Sequence, residues 1–161
     1  YTAHISDQSG TGTGVALAEI YDASVNPAAE DQRLVNIAGR GTVTPGDGAL
    51  IGGFVVTGNS PKTLLIRGIG PALTAFGVAG ALADPELTIY QDSKVITTNE
   101  GWANSAAIAA AAIKTGAFAL SSGSKDAAVL LTLSPGAYSA QIKSAKNAPS
   151  GVALIEIYEV P

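Results

Sequence analysis

Short apolar runs, separated by clusters of Gly, Pro, Asn, Asp and Ser, recur along most of the chain. They are rich in Val, Ile, Leu and Thr and return at a spacing of roughly 8–12 residues, which is typical of strands in a sandwich. The pattern predicts an all-β fold, a β-sandwich of about eight short strands that is Ig-like or jelly-roll-like. The predicted strands are Leu34–Val43, Leu50–Thr57, Thr63–Ile69, Glu86–Gln91, Lys94–Thr98, Asp126–Ser134, Tyr138–Ser144 and Gly151–Val160.

One segment departs from the strand pattern. Ser105–Lys114 reads SAAIAAAAIK, and alanine has the highest helix propensity of all residues. Ser105 suits the N-cap position, and Gly116 lies just beyond the end, where a left-handed residue commonly stops a helix. The sequence therefore predicts one short Ala-rich helix among the strands.

The two ends of the chain resemble each other. Tyr1–Ser24 aligns without a gap on Tyr138–Pro161, at a constant offset of 137 residues. Ten of the twenty-four aligned positions are identical, among them the runs Gly-Val-Ala-Leu and Glu-Ile-Tyr. Such internal similarity indicates a repeating unit. Because two copies of one end accompany a single copy of the middle, the repeat points to assembly rather than to catalysis.

This repeat divides the chain into three predicted parts. Residues 1–24 are expected to form a surplus β-hairpin, with strands Tyr1–Ser6 and Gly14–Asp22, homologous to a C-terminal hairpin over Tyr138–Val160. Residues 25–32 are expected to be a linker, and residues 33–161 a complete sandwich module. Since an isolated hairpin is marginal in water, the surplus one should dock in cis or in trans. The expected assembly interface consists of Val15, Leu17, Ile20, Tyr21, Val152, Leu154, Ile157 and Tyr158.

The composition narrows the possible partners. The 161 residues include no Cys and no Met, and the formal net charge is −4 with no Lys/Arg cluster. These features disfavour a disulfide framework, thiolate metal sites, nucleic acid and anionic membranes. No apolar run approaches the length of a membrane span. The chain begins at Tyr1 rather than Met, which we interpret as the removal of a signal or a longer precursor, or as a fragment.

Candidate catalytic groups are few. His4 is the only histidine, and the repeat places Gln141 at the equivalent position. A Ser/His/Asp triad would have to use His4, and a position that accepts a non-titrating residue does not suit that role. The run Arg67–Pro71 (RGIGP) lacks the length and the Lys-Ser/Thr of a phosphate-binding loop. The sequence therefore predicts no enzyme.

Charged and aromatic residues suggest three other sites. Arg67 is expected to form a structural ion pair with a carboxylate, in the first place Asp84, with Glu86 or Asp92 as alternatives. Trp102 and Tyr90 could form a sugar-stacking platform, although a lone Trp in a sandwich is more often core. No cofactor is predicted. Ca²⁺ is left open at acidic residues without EF-hand spacing, namely Asp7, Asp22, Asp31 and Asp47.

Several stretches resemble a repeat module of large secreted proteins of Verrucomicrobia-type bacteria. They are RLVNIAGRGTV, LIGGFVVTG, PKTLLIRGIGPAL, ALADPELTIY, the loop around Trp102, GSKDAAVLLTLSPGAYSAQI and GVALIEIYEV, in this order. The resemblance covers nearly the whole chain. It implies an exported β-rich repeat at the cell surface or outside the cell, and it supplies no catalytic motif.

These features favour a structural subunit of an extracellular filament or surface assembly, linked head to tail by strand complementation. The partner would be a second copy, as in a homopolymer, or a neighbouring repeat of the same chain. The alternative is a non-catalytic polysaccharide-binding module of a larger secreted protein.

Overall fold

The computed structural model describes residues 1–12, 14–21, 34–145 and 149–161. The chain divides into two compact units, Tyr1–Leu34 and Val35–Pro161. The described residues of the first unit form neither strand nor helix, so the strands predicted at Tyr1–Ser6 and Gly14–Asp22 are wrong there. The physical reason is that a two-stranded hairpin without a covering layer is marginal. Asp22 and the predicted linker, residues 25–32, lie outside the described residues.

The second unit contains, in its described residues, eight strands and one α-helix. The helix α1 (Ala106–Thr115) lies between β5 and β6, and a 3₁₀ turn (Pro71–Phe76) lies between β3 and β4. The strands are β1 (Asn36–Val43), β2 (Leu50–Val56), β3 (Lys62–Ile69), β4 (Pro85–Gln91), β5 (Lys94–Asn99), β6 (Ala127–Leu133), β7 (Gly136–Ser144) and β8 (Gly151–Glu159).

The strands form two four-stranded sheets in which every neighbouring pair is antiparallel. Sheet A has the order β1-β8-β3-β6, and sheet B has the order β2-β7-β4-β5. Since β1 pairs with β8, β2 with β7, β3 with β6 and β4 with β5, the chain is one long hairpin rolled into two layers. This is the jelly-roll arrangement, and it confirms the predicted all-β sandwich.

The main core lies between the two sheets, because alternate residues of each strand point to the same face. The innermost side chains include Leu87 and Ile89 of sheet B and Ile66 and Ile155 of sheet A. A second cluster covers the outer face of sheet A, where α1 packs over Leu65 and neighbouring residues. Sheet A is therefore buried on both faces around its centre.

The helix follows the sequence expectation closely. Ser105 is the N-cap and its Oγ accepts a hydrogen bond from the backbone N–H of Ile108 at 3.4 Å. Gly116 ends the helix in the left-handed conformation, with φ of 73°. Among the described residues, no helix has the length and apolar character needed to cross a bilayer.

The two last strands do not form the hairpin predicted over Tyr138–Val160. β7 lies between β2 and β4 in sheet B, whereas β8 lies between β1 and β3 in sheet A. Each strand thereby gains a hydrogen-bonded neighbour on both sides, which satisfies more backbone groups than pairing with each other at a sheet edge would. The two C-terminal strands are consequently inner strands of the two sheets.

Candidate functional site: the strand slot of sheet A

We call the position between β1 and β3 in sheet A the strand slot. β8 fills it, with Ala38, Glu156 and Arg67 side by side across the three strands. Residues of β8 alternate between the two faces of the sheet. Ala153, Ile155 and Ile157 belong to the core between the sheets, and Glu156 points to the outer face.

A buried ion pair joins β8 to β3 on the outer face of sheet A. Arg67 is fully buried and Glu156 is 5% exposed. The Arg67 Nε and Nη2 donate to Glu156 Oε2 at 2.9 and 2.5 Å, and Nη1 donates to the carbonyl oxygen of Phe118 at 2.6 Å. Because a buried charge without its partner is strongly destabilising, this pair selects a strand with a carboxylate at one defined position.

Two aromatic rings lie against the guanidinium group of this ion pair. The Phe118 ring lies 4.2 Å from the Arg67 guanidinium carbon, and the Tyr158 ring lies 5.8 Å from it. The Tyr158 hydroxyl donates to Glu156 Oε1 at 2.8 Å. Burial, and then the hydrogen bond to the neighbouring Glu156 carboxylate, raise the pKa of Tyr158 to about 12. The hydroxyl therefore stays protonated and holds the carboxylate in place.

The entrance of the slot requires a glycine. The backbone of Val152 exchanges hydrogen bonds with the segment before β4: Leu82 N–H donates to Val152 O, and Val152 N–H donates to Gly80 O, both at 2.8 Å. A Cβ atom on Gly151 would lie 2.5 Å from Leu82 Cα and 2.7 Å from Leu82 N. Since these are backbone atoms, no side-chain adjustment relieves the contact, and only glycine fits.

The inner face of the slot requires a large side chain at one position. Ile155 is 2% exposed, and its register partners on the two neighbouring strands are Gly39 and Gly68. Across the core, a Cβ on Gly52 would lie 3.1 Å from Ile155 Cδ1. Ile155 therefore fills the space that Gly52 and Gly39 leave open, whereas a Cβ on Gly68 would meet Ile142 and Leu87.

The exposed segment Gly14–Tyr21 repeats the sequence features that the slot requires. Gly14, Glu19 and Tyr21 are the counterparts of Gly151, Glu156 and Tyr158. The Tyr21 hydroxyl donates to Glu19 Oε1 at 2.8 Å, as Tyr158 does to Glu156. A Cβ on Gly14 would meet no atom within 4 Å, so nothing around Gly14 itself calls for glycine. The sequence of this segment thus matches the environment of β8 rather than its own.

The residues predicted as an assembly interface differ in environment. In the N-terminal segment, the large apolar side chains are exposed, namely Val15, Leu17, Ile20 and Tyr21. In β8, Val152, Leu154 and Tyr158 are half-buried, whereas Ile157 is 5% exposed and belongs to the core. In β8 the strand alternation distributes these positions over the two faces of sheet A.

The predicted ion pair between Arg67 and Asp84 is wrong. Asp84 instead accepts a hydrogen bond from Lys125 Nζ at 2.5 Å, and Arg67 pairs with Glu156. The reason is the register of sheet A, which places Glu156 directly beside Arg67 on the next strand. Cross-strand neighbours on one face are the closest side chains a strand residue has.

The predicted aromatic platform does not form. Trp102 is 8% exposed, packs in the cluster beneath α1, and its indole N–H donates to the carbonyl oxygen of Ser121 at 3.2 Å. Tyr90 is half-buried and lies on β4 of sheet B. A sugar-stacking site needs an exposed aromatic face, and burial of the Trp102 ring removes it.

The acidic positions considered for Ca²⁺ have different environments. Asp7 Oδ2 accepts hydrogen bonds from the Thr11 and Gly12 N–H groups at 3.2 and 2.9 Å and from the Ser9 hydroxyl. These bonds, the Ser9 hydroxyl first, lower the pKa of Asp7. No group of three or more His, Cys, Asp or Glu placed to hold a metal occurs in residues 1–12, 14–21, 34–145 and 149–161. Asp22 and Asp31 lie outside these ranges.

Sequence reasoning missed Glu156, Phe118 and Asp126 as structural residues. Asp126 is fully buried, and its Oδ1 accepts a hydrogen bond from Gly70 N–H at 2.8 Å. For Glu156 a signal was present, since a charged residue in the middle of an apolar strand recurs in the repeat as Glu19. No comparable pattern marked Phe118 or Asp126.

No protein-family model matches the chain, and no curated protein matches it. Among solved structures, it is similar to the pre-peptidase C-terminal domain of a collagenase from Bacillus anthracis. The two sequences are 12% identical, the match covers 76% of this chain and 89% of that chain, and the TM-score is 0.46. Because identity and TM-score are both low, the fold assignment stands on the hydrogen-bond register alone.

Proposed function

We propose that this chain is a non-catalytic structural module of an extracellular filament or surface assembly, joined head to tail by strand complementation. The segment Tyr1–Tyr21 supplies the equivalents of β7 and β8 to a neighbouring module. The resemblance to repeat modules of secreted bacterial proteins supports the extracellular location.

One observation carries this proposal: an exposed segment has the sequence of a central, buried strand. Val15 and Leu17 are 105% and 80% exposed, whereas β8 lies between two strands and two packed layers. Burying a large apolar side chain is worth about 1.5–3 kcal/mol. The segment therefore gains free energy by entering a strand slot, and Glu19 and Tyr21 are the residues that would engage its arginine.

The geometry of such a contact favours an extended assembly. The donor segment and the slot are different parts of the chain, so the contact is heterologous and continues from unit to unit unless a rotation closes it into a ring. Strand addition of this kind uses backbone hydrogen bonds for affinity and alternate side chains for specificity. A module of the same fold, in a second chain or in another repeat of the same polypeptide, provides the slot.

Electron microscopy of the native assembly, with its neighbouring modules present, tests the proposal. Three versions are compared: the full chain, a chain lacking residues 1–24, and the full chain with Glu19→Arg, which sets an arginine against the slot arginine. We expect filaments or surface arrays with the full chain and none with the two variants. Filaments that persist in both variants would place the joint elsewhere.

The polysaccharide-binding alternative has less support. It depended on an aromatic platform at Trp102 and Tyr90, and the Trp102 ring is buried. Glycan binding that is lost on Tyr90→Ala, while the stability of the module is unchanged, would revive it.

A further inference from the structure

We propose that Gly14–Tyr21 inserts into the strand slot of a module that has the same fold as Val35–Pro161 but a different sequence. The partner has a side chain at the position equivalent to Gly52 and keeps an arginine at the position of Arg67. This inference rests on the proposed function, and it adds to it the chemistry by which the partner is recognised.

The argument begins at the one inward position where donor and β8 differ. Ile155 of β8 corresponds to Ala18 of the segment, while the neighbouring inward residues, Ala153 and Ile157, are identical in the two copies. The space around Ile155 is shaped by glycines. A Cβ on Gly52 would lie 3.1 Å from its Cδ1 and 3.4 Å from its Cγ2, and one on Gly39 would lie 3.6 Å from Cγ2.

This slot is consequently a poor acceptor for the donor segment. If Ala18 took the place of Ile155, the γ- and δ-carbons would be missing, and the glycines opposite have no side chains that could move into the gap. Voids of this kind collapse only partly in a packed core. A slot with a side chain in place of Gly52 has its extra atoms next to the space that the outer carbons of Ile155 occupy, so it fits Ala18 better and crowds Ile155.

The outer-face features that the donor retains define what the partner shares with this module. Glu19 and Tyr21 keep the carboxylate and the hydroxyl that engage Arg67, and they are already hydrogen-bonded to each other at 2.8 Å. Gly14 retains the glycine that the close approach of the Leu82 backbone requires at Gly151. The partner therefore resembles this module on the outer face of sheet A. It differs from it across the core from the slot, at the position of Gly52.

A set of full-chain variants tests this dependence on side-chain size at positions 18 and 52, which we call the size rule. The module of Val35–Pro161 serves as the acceptor. Ile155→Asp places a carboxylate in the core and so expels β8. On this background we compare the chain alone, with Ala18→Ile, with Gly52→Ala, and with both added substitutions. Urea unfolding followed by circular dichroism reports whether the module folds. Light scattering reports whether a second copy provides the strand. The set is repeated on Glu156→Arg, so that the result does not depend on one way of expelling β8.

We expect Ile155→Asp alone to lose its cooperative transition. Adding Ala18→Ile or Gly52→Ala should restore the transition, and adding both should restore it less than either one alone, because the two added groups then crowd each other. Deleting residues 1–24 should abolish every restored transition. A chain with Ile155→Asp alone that folds through its N-terminal segment would overturn the size rule while leaving strand complementation intact. Failure of every added substitution to restore folding would overturn strand complementation itself. Folding that survives the deletion on both backgrounds would overturn both.

Discussion

Gly14–Tyr21 and β8 share most of their sequence and have opposite environments. In β8 the shared glutamate is buried against an arginine, the shared glycine touches backbone, and the shared tyrosine is half-buried. In the N-terminal segment the same residue types are exposed. A strand sequence thus specifies what the strand requires of its neighbours, but whether those neighbours are present depends on the rest of the fold. Matched substitutions at equivalent positions measure that difference directly.

The largest contrast is expected at the glutamates. Glu156→Ala leaves the buried Arg67 charge without its carboxylate, and breaking a buried pair in this way costs about 3–5 kcal/mol. Glu19→Ala removes an exposed carboxylate, and the free energy of unfolding of the module should change by less than about 0.5 kcal/mol. Urea unfolding of the two variants beside the full chain measures both values. Equal losses would show that the two strands are not in different environments.

A double variant sharpens the same comparison. Replacing both partners, as Arg67→Met with Glu156→Leu, removes the orphaned charge together with the pair. Such replacements are often neutral or stabilising, so most of the loss seen with Glu156→Ala should be recovered. A double variant as unstable as Glu156→Ala would indicate that the ion pair contributes packing rather than charge compensation.

The next contrast lies at the inward position where the two strands differ. Ile155→Ala removes buried carbons next to Gly39 and Gly52 and should cost about 2–5 kcal/mol, at the upper end because glycines cannot fill the space. Ala18→Ile adds the same carbons to the exposed segment and should leave the unfolding midpoint of the module unchanged. Chemical denaturation again provides the measurement. A cost below about 1 kcal/mol for Ile155→Ala would show that the slot closes around a smaller side chain.

A smaller contrast is expected at the glycines. Gly151→Ala sets a Cβ against the Leu82 backbone, and overpacking of this kind costs about 1–3 kcal/mol. Gly14→Ala meets open space and should not change the stability of the module. Thermal unfolding of both variants, with the shift in Tm as the readout, tests the pair. A stable Gly151→Ala variant would mean that the segment around Leu82 moves readily.

The strand and helix pattern could be predicted because it depends on local alternation, turn residues and caps. β4, β5 and α1 lie within a few residues of their predicted positions. The pairing of β7 and β8 was predicted wrongly because proximity in sequence favours a hairpin, whereas each strand gains two neighbours by joining a different sheet. Choices between a local and a distant partner depend on the whole topology, which no short window of sequence contains.

The site could be predicted only in part, for the same reason. The repeat identified the strand that matters, and Arg67 was recognised as one member of an ion pair. Its partner Glu156 lies 89 positions away and becomes its neighbour only through the register of sheet A. A glutamate recurs within both copies of the apolar repeat, as Glu19 and Glu156. This recurrence identifies the partner of Arg67 only when β8 is known to lie beside β3.

The finest contrast concerns the tyrosines and pH. The pKa of Tyr158 is raised from 10.0 to about 12, because burial and the Glu156 carboxylate disfavour the phenolate. A raised pKa means that the contribution of the hydroxyl is fully present below about pH 10 and is lost as the pH rises through about 12. Tyr158→Phe removes a hydrogen bond and should cost about 1 kcal/mol near neutral pH, and this cost should shrink between about pH 10 and 12. Tyr21→Phe, in the exposed copy, should leave the stability of the module unchanged at every pH. Urea unfolding at a series of pH values compares the three proteins. A Tyr158→Phe cost that stays constant up to about pH 12 would show that the hydroxyl does not titrate in this range and that its loss acts only through packing.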